Sequence, residues 1–252
     1  MARKRSQKGY TLIEMVLVLV IIGIIATVGL KSLTAVHQTS RFEETRQELD
    51  RLAVAIVGDP SLVSGGSRTD FGYVGDVGSL PPNLDALVTN PGGYATWDGP
   101  YLGDDFSTDG SSSTFKIDAW GTAYSYSGGV TIASTGGATG LTRKLANTVD
   151  DLLYNNLSAV VTDLNQTPPG AIYQDSVRLV LTYPDGVGGL AIEVMNPRTD
   201  GLAQFDSIPI GLHELRVVYI PTSDTLTRKV VVNPGDHAYT EISLAEDVWS
   251  GS

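Results

Sequence analysis

Between Thr11 and Leu30 the chain runs for twenty residues with a single charged side chain, the carboxylate of Glu14. Coiled into a helix at about 1.5 Å per residue, such a run reaches about 30 Å, the hydrocarbon thickness of a bilayer. A helix that is apolar on every side is either buried in a large core or immersed in lipid. Four cations stand just ahead of it, Arg3, Lys4, Arg5 and Lys8, and they predict a cytoplasmic N-terminus. A secretory signal would have a shorter apolar region of about 7 to 15 residues and a small-x-small exit. Here the run reaches Leu30 without an Ala-x-Ala exit.

Glu14 needs an explanation of its own. A carboxylate inside a spanning helix costs about 2.5 to 3.5 kcal/mol on insertion scales and calls for a counter-charge. Lys8 is the nearest cation in the uncut chain. A cut after Gly9 creates another: the new α-amino group of Tyr10 lies about one helical turn from Glu14, and the amino group of a neighbouring copy can reach it. An unpaired charge in lipid costs more than a paired one, so each incoming copy is driven to the axial offset that matches amine to carboxylate.

The stretch Lys8-Gly9-Tyr10-Thr11-Leu12-Ile13-Glu14 resembles the cleavage and methylation motif of type IV prepilins and pseudopilins. The resemblance implies a leader of residues 1–9, cleavage between Gly9 and Tyr10 by a prepilin peptidase, N-methylation of Tyr10, and a registering role for Glu14 in assembly. It also implies a single-pass protein of the bacterial inner membrane with its bulk on the periplasmic side. Its partners would be other pilin or pseudopilin subunits, in a homo- or hetero-filament, and an assembly platform protein. Two positions depart from the pattern. Tyr10 stands where the family mostly has Phe, and Lys31 where many relatives have a kinking Pro; Gly23 and Gly29 supply close packing or local melting instead.

Past Leu30 the helix is expected to continue as an amphipathic stalk, because Phe42, Leu49, Leu52 and Ile56 recur at helical spacing among charged residues. Such a stripe docks on the chain's own sheet more often than on another stalk. Gly58-Asp59-Pro60 ends it.

Residues 58 to about 155 are rich in Gly, Ser, Thr and Tyr. A short helix is expected over Pro82–Val88, and strands at Ala123–Tyr126 and Val130–Ile132 joined by Ser127-Gly128-Gly129. Three segments in order, Leu80-Pro81-Pro82-Asn83-Leu84, Trp97-Asp98-Gly99-Pro100-Tyr101-Leu102 and Asp118-Ala119-Trp120-Gly121, resemble the globular part of the major pseudopilin of type II secretion systems. Trp97, Tyr101 and Trp120 are read as packing aromatics. Major pseudopilins commonly hold calcium in the loop that follows. By that resemblance Asp150 and Asp151 are the metal-ligating candidates here, although Thr139-Gly140 replaces the usual acidic residue before Gly. A second candidate, Asp105-x-Ser107-x-Asp109-Gly110, imitates the start of an EF-hand loop but has Lys116 at its twelfth position in place of Glu.

Beyond the linker Asn165–Gly170 the texture changes to short alternating segments: Val177–Tyr183, Leu190–Met195, Leu202–Ser207, Leu212–Ile220, Arg228–Val232 and Ala238–Leu244. Turn signals separate them, and regular spacing of that kind reads as a β-sandwich. The run from Asp200 to Val217 resembles the transthyretin-like, carboxypeptidase-regulatory type of sandwich, which implies a rigid spacer or binding surface.

Charge and composition narrow the functions. Residues 58–252 carry nine Lys/Arg against 23 Asp/Glu, an acidic surface that repels phosphate backbones and argues against nucleic-acid binding. There is no cysteine, and His37, His213 and His237 fall in three separate segments, so no zinc site is signalled. Nucleophile elbows, Walker loops and dinucleotide fingerprints are missing, and no enzyme is expected. The sequence therefore predicts an α+β chain. A transmembrane and stalk helix (10–57) packs on the small antiparallel sheet of a pilin-like domain (58–157), and a separate all-β sandwich (170–247) follows. The leading expectation is a filament subunit of a type II secretion or type IV pilus-like system that supports protein secretion. The alternatives are a minor type IV pilin with an adhesive or ligand-binding sandwich, and a bitopic membrane protein that never polymerises.

Overall fold

The computed structural model of the chain describes residues 9–103 and 114–249, and of residues 28–35 the backbone alone. Residues 1–8 of the expected leader and the Asp105–Gly110 loop lie outside the described residues.

A single helix, α1 (Leu12–Val57, 46 residues), opens the chain and spans about 69 Å. It starts two residues later than the expected Tyr10, because Thr11 is its N-cap. The apolar residues from Leu12 to Ile25 are exposed, from 48% at Ile21 to 84% at Leu12, so among the described residues nothing covers this stretch. Among the described residues no helix is long and apolar enough to cross a membrane. The expected span Thr11–Leu30 is described in full only through Thr27, and the side chains of its last three residues lie outside the described residues.

The second half of α1 is half-embedded. Leu49, Leu52, Ala55 and Ile56 are buried and Phe42 is partly so. The stripe read from the sequence thus meets the chain's own globular part. Fully burying one such Leu or Ile contributes about 1.5 to 3 kcal/mol. Opposite it lie a two-residue hairpin, β1 (Val63–Ser64) with β2 (Ser67–Arg68), and the short helix α2 (Gly72–Val77), which buries Tyr73, Val74 and Val77. The helix expected at Pro82–Val88 is a 3-10 turn over Leu84–Leu87, with the Asn83 side chain accepting from Ala86 N at 3.2 Å. A second 3-10 turn covers Thr114–Lys116. The small antiparallel sheet is the pair β3 (Thr131–Ser134) and β4 (Leu141–Lys144), extended by a lone bridge from Ser125 to Ala133. One core unites these pieces, from Leu49 and Ile56 through Tyr73, Leu87 and Phe115 to Ile132 and Leu152.

A short helix α3 (Asp150–Leu153) leads into β5 (Asn155–Thr162); α4 (Gly170–Tyr173) follows, then β6 (Val177–Pro184), β7 (Leu190–Met195), β8 (Leu202–Ile208), β9 (Gly211–Tyr219), β10 (Asp224–Val232) and β11 (His237–Ser243). They form a four-stranded antiparallel sheet in the order β10-β9-β6-β7 and a three-stranded sheet in the order β11-β5-β8, where β5 and β11 run parallel. Their facing sides make a second core from Leu157, Val161, Leu179, Phe205, Val217 and Ile242, closed at one end by Trp249. Strand β5 lies ahead of residue 170, where the sequence reading begins the sandwich.

The two cores meet through main-chain contacts. Gly186 N donates to Val77 O at 2.9 Å, Ala95 N to Gly188 O at 2.8 Å, Ile210 N to Leu152 O at 2.9 Å and Gly235 N to Asp151 O at 2.8 Å. Backbone groups paired in this way fix the sandwich to the rest of the globular part instead of leaving it on a free tether.

Candidate functional site

The first turn of α1 holds the residues the sequence singles out. Thr11 is extended (φ −77°, ψ 152°), and its hydroxyl accepts from Glu14 N at 3.3 Å. In return Glu14 Oε2 accepts from Thr11 N at 3.0 Å and from the Thr11 hydroxyl at 3.1 Å. This reciprocal capping box satisfies amide donors that a helix start leaves without partners. It also sets a carboxylate at the positive end of the helix dipole. The Thr-x-x-Glu spacing was present in the sequence as a signal for it. Both bonds fall on one oxygen, whereas an ionised carboxylate has about four lone-pair sites, so capacity for an ammonium remains. Tyr10 is 78% exposed and precedes the helix, as does the exposed Gly9. The Gly9–Tyr10 peptide is thus presented outside regular structure, where a peptidase can reach its backbone.

Further along, polar contacts tie the stalk half of α1 to the head. Trp120 Nε1 donates to Gln38 Oε1 at 3.0 Å, Ala119 N to the buried Thr45 hydroxyl at 3.1 Å, and the Tyr124 hydroxyl to Glu48 Oε2. Arg143 pairs with Asp50 at 3.0 Å. Burial pushes the Glu48 carboxyl up, with Glu44 and Asp118 adding to the effect while Tyr124 opposes it. The aromatics behave as packing groups. Trp97 meets Tyr101 edge-on at 5.6 Å and gives its indole N–H to Ala86 O at 2.9 Å, while Tyr101 meets Tyr73 at 5.7 Å.

The Asp-x-Trp-Gly segment has a structural role that the sequence reading missed. Asp118 is buried, and its carboxylate accepts from Trp120 N at 3.0 Å, Thr122 N at 2.8 Å, the Ser134 hydroxyl at 2.5 Å and Gly136 N at 3.2 Å. One side chain thereby knots the turn after the 3-10 helix to the loop leaving β3. The relevant sequence signal was an Asp two residues before an aromatic at a tight Gly turn.

Asp150 and Asp151 open α3. Asp151 Oδ2 accepts from Thr148 N at 2.9 Å, its own N donates to the Thr148 hydroxyl at 3.2 Å, and its carbonyl takes Gly235 N. These bonds tie the turn ahead of α3 together and dock the sandwich. Among the described residues no group of three or more His, Cys, Asp or Glu side chains converges to hold a metal. Of the two candidates, Asp151 has a carboxylate oxygen engaged with Thr148 N. The histidines stay apart: His213 is buried with Nε2 2.7 Å from Pro209 O, and burial lowers its pKa, while His237 Nε2 lies 2.9 Å from the Ser158 hydroxyl.

A family model described as the prokaryotic N-terminal methylation motif matches residues 4–30. The type II secretion system core protein G of Xanthomonas campestris pv. campestris is 30% identical over 98 residues, which are 39% of this chain and 59% of that protein. The chain thus matches less than two thirds of the relative's length. Two solved structures match weakly. One is the dioxygenase domain of a dioxygenase carbohydrate-binding protein fusion from Streptomyces sp. SirexAA-E, at 12% identity and TM-score 0.28, covering 37% of this chain and 80% of that one. The other is the major pilin subunit of Bacillus cereus, at 10% identity and TM-score 0.21, covering 46% and 36%. At such TM-scores neither structure carries an argument. On the motif and the protein G match, the chain is similar over part of its length to type IV pilin- and pseudopilin-type proteins.

Proposed function

We propose that this chain is a filament subunit of a type II secretion or related pilus-like system, anchored in a membrane by the first half of α1 until it is assembled. In this reading a prepilin peptidase cuts between Gly9 and Tyr10, Tyr10 becomes the N-methylated first residue, and Glu14 sets the register between neighbouring subunits.

The observation that carries the reading is the arrangement of the first turn. An exposed Gly9–Tyr10 peptide leads directly into a capping box that holds Glu14 at the head of an uncovered apolar helix. After the cut, an ammonium group appears one residue from Thr11, whose amide already touches Glu14. The amine of a neighbouring subunit then competes for the same carboxylate, and in a low-dielectric surrounding the pairing is strong enough to select one axial offset. The uncovered helix face supplies the packing, first against lipid and then against other copies of α1. The role is mechanical, not catalytic, and the energy for drawing α1 out of a bilayer would come from a separate ATPase and platform protein.

N-terminal sequencing with intact-mass measurement of the membrane-extracted protein tests this directly. The expected chain starts at methylated Tyr10. A mature protein that keeps residues 1–9, or that is cut beyond Leu30, overturns the reading.

A further inference from the structure

Strand β7 is an edge of the four-stranded sheet and, among the described residues, pairs with β6 alone. Its residues alternate so that Leu190, Ile192 and Val194 are 61%, 66% and 53% exposed on one face. Glu193 turns to the other side, where it bonds to Tyr183. Natural edge strands are commonly guarded by charge. The other edges here follow that habit: β10 carries exposed Arg228 and Lys229, β11 exposed Glu241 and β8 exposed Asp206. The β7 edge has an apolar stripe instead.

We propose that β7 pairs antiparallel with β7 of a second copy of this chain, joining two four-stranded sheets edge to edge. The strand is self-complementary in that direction. Centred on Ile192, it sets Ile192 against its own counterpart, Leu190 against Val194 and Ala191 against Glu193, so the apolar stripe continues across the seam and no two carboxylates face each other. Centring on Glu193 would set the two carboxylates opposite one another, which selects the first register. Main-chain bonds along the strand supply the attraction, and the alternating apolar side chains supply the specificity. The contact belongs to the sandwich and does not depend on the leader being cut.

The chain has no cysteine of its own, so Ile192→Cys in the full-length, detergent-purified protein is a clean probe. Directly opposed residues of an antiparallel pair have Cα atoms about 4.5 to 5.5 Å apart, within disulfide reach. Mild oxidation is expected to give a covalent homodimer several-fold more abundant than from Thr227→Cys on the β10 edge. Mixed Leu190→Cys and Val194→Cys proteins are expected to cross-link to each other and neither with itself. An Ile192→Cys yield no higher than that of Thr227→Cys overturns the proposal. So does ready self-cross-linking of Leu190→Cys, or an adduct to a different protein in place of the dimer. Each variant's thermal melt is compared with the parent, and the mixed pair gives a second reading should Ile192→Cys melt low.

Discussion

Gly78 meets Pro184 backbone against backbone: a Cβ added at Gly78 would stand 2.4 Å from the Pro184 carbonyl oxygen. Gly78 closes α2 in the left-handed region (φ 79°), and one residue earlier Val77 O accepts from Gly186 N. The end of α2 and the turn after β6 are therefore pressed together, so the sandwich and the core built on α1 are expected to unfold as one unit. Gly78→Ala should cost more than the roughly 1 to 2 kcal/mol of a left-handed L-residue, because the clash forces the turn away. Gly93→Ala (φ 70°, open space around it) should cost the backbone part alone. Calorimetry should show one transition in the parent and in Gly93→Ala, and two transitions or a much lower single one in Gly78→Ala.

Asp76 lies one residue before this contact, and Tyr101 OH donates to its Oδ2 at 2.9 Å. Burial pushes its pKa up to about 6, with Asp98 and Asp70 adding to the effect and Tyr101 opposing it. A carboxyl that binds its proton more tightly when folded makes stability greatest below its unfolded value of 3.8, and that contribution is lost as pH rises from 3.8 to about 6. Allowing for its partial exposure, the loss is about 1 to 2 kcal/mol. Asp76→Asn keeps an acceptor for Tyr101 and removes the charge. It should melt higher than the parent at pH 7 and no higher at pH 4, as followed by circular dichroism across that range.

What the sequence disclosed and what it hid follow the range of the interactions. The strands expected at Val177–Tyr183, Leu190–Met195 and Leu202–Ser207 are observed at Val177–Pro184, Leu190–Met195 and Leu202–Ile208, because alternation and turn residues act locally. Strand β5 is harder to read. It is central in its sheet and its burial largely alternates, but the inward positions include Asn155 and Ala159 and an outward one is Val160, so the apolar alternation is blurred in the sequence, and its parallel partner β11 lies some eighty residues away. Glu14 was found by its charge in an apolar run, yet its bond to Thr11 was not anticipated, although the spacing spelled it. The Asp118 knot depends on Ser134 and Gly136 approaching across a hairpin, which no single stretch encodes.

That knot makes a stability prediction. Asp118→Asn keeps one oxygen for Trp120 N and Thr122 N but puts an NH₂ where Ser134 and Gly136 donate; the Ser134 hydroxyl can turn to accept from it, whereas the Gly136 N–H loses its acceptor. A buried donor left without an acceptor costs about 1 to 3 kcal/mol, so Asp118→Asn should lower the urea midpoint by that equivalent and Asp118→Ala by at least as much. Ser134→Ala, which removes one donor and leaves the acceptor otherwise bonded, should cost less. Unfolding followed by Trp fluorescence reports on this directly, since Trp120 sits in the turn.

Glu14 carries two properties that substitution can separate, the observed cap on α1 and, in the proposed filament, a negative charge facing the next subunit's amine. Glu14→Ala removes both. Glu14→Gln keeps an acceptor for Thr11 N and its hydroxyl but has no charge, so the helix start survives while the ion pair is lost. Thr11→Val does the reverse, removing the hydroxyl of the capping box at a cost of about 0.5 to 2 kcal/mol and sparing the carboxylate. If charge sets the register, Glu14→Gln should be inserted and cut after Gly9 like the parent but fail to enter filaments, as fully as Glu14→Ala does. Thr11→Val should enter them, with a helix start that frays. The measurement is the sheared-filament fraction of each variant beside its processed membrane pool. Filament entry by Glu14→Gln at the parental level would show that capping, not charge, is what assembly needs from this residue, and the amine–carboxylate register would have to be abandoned.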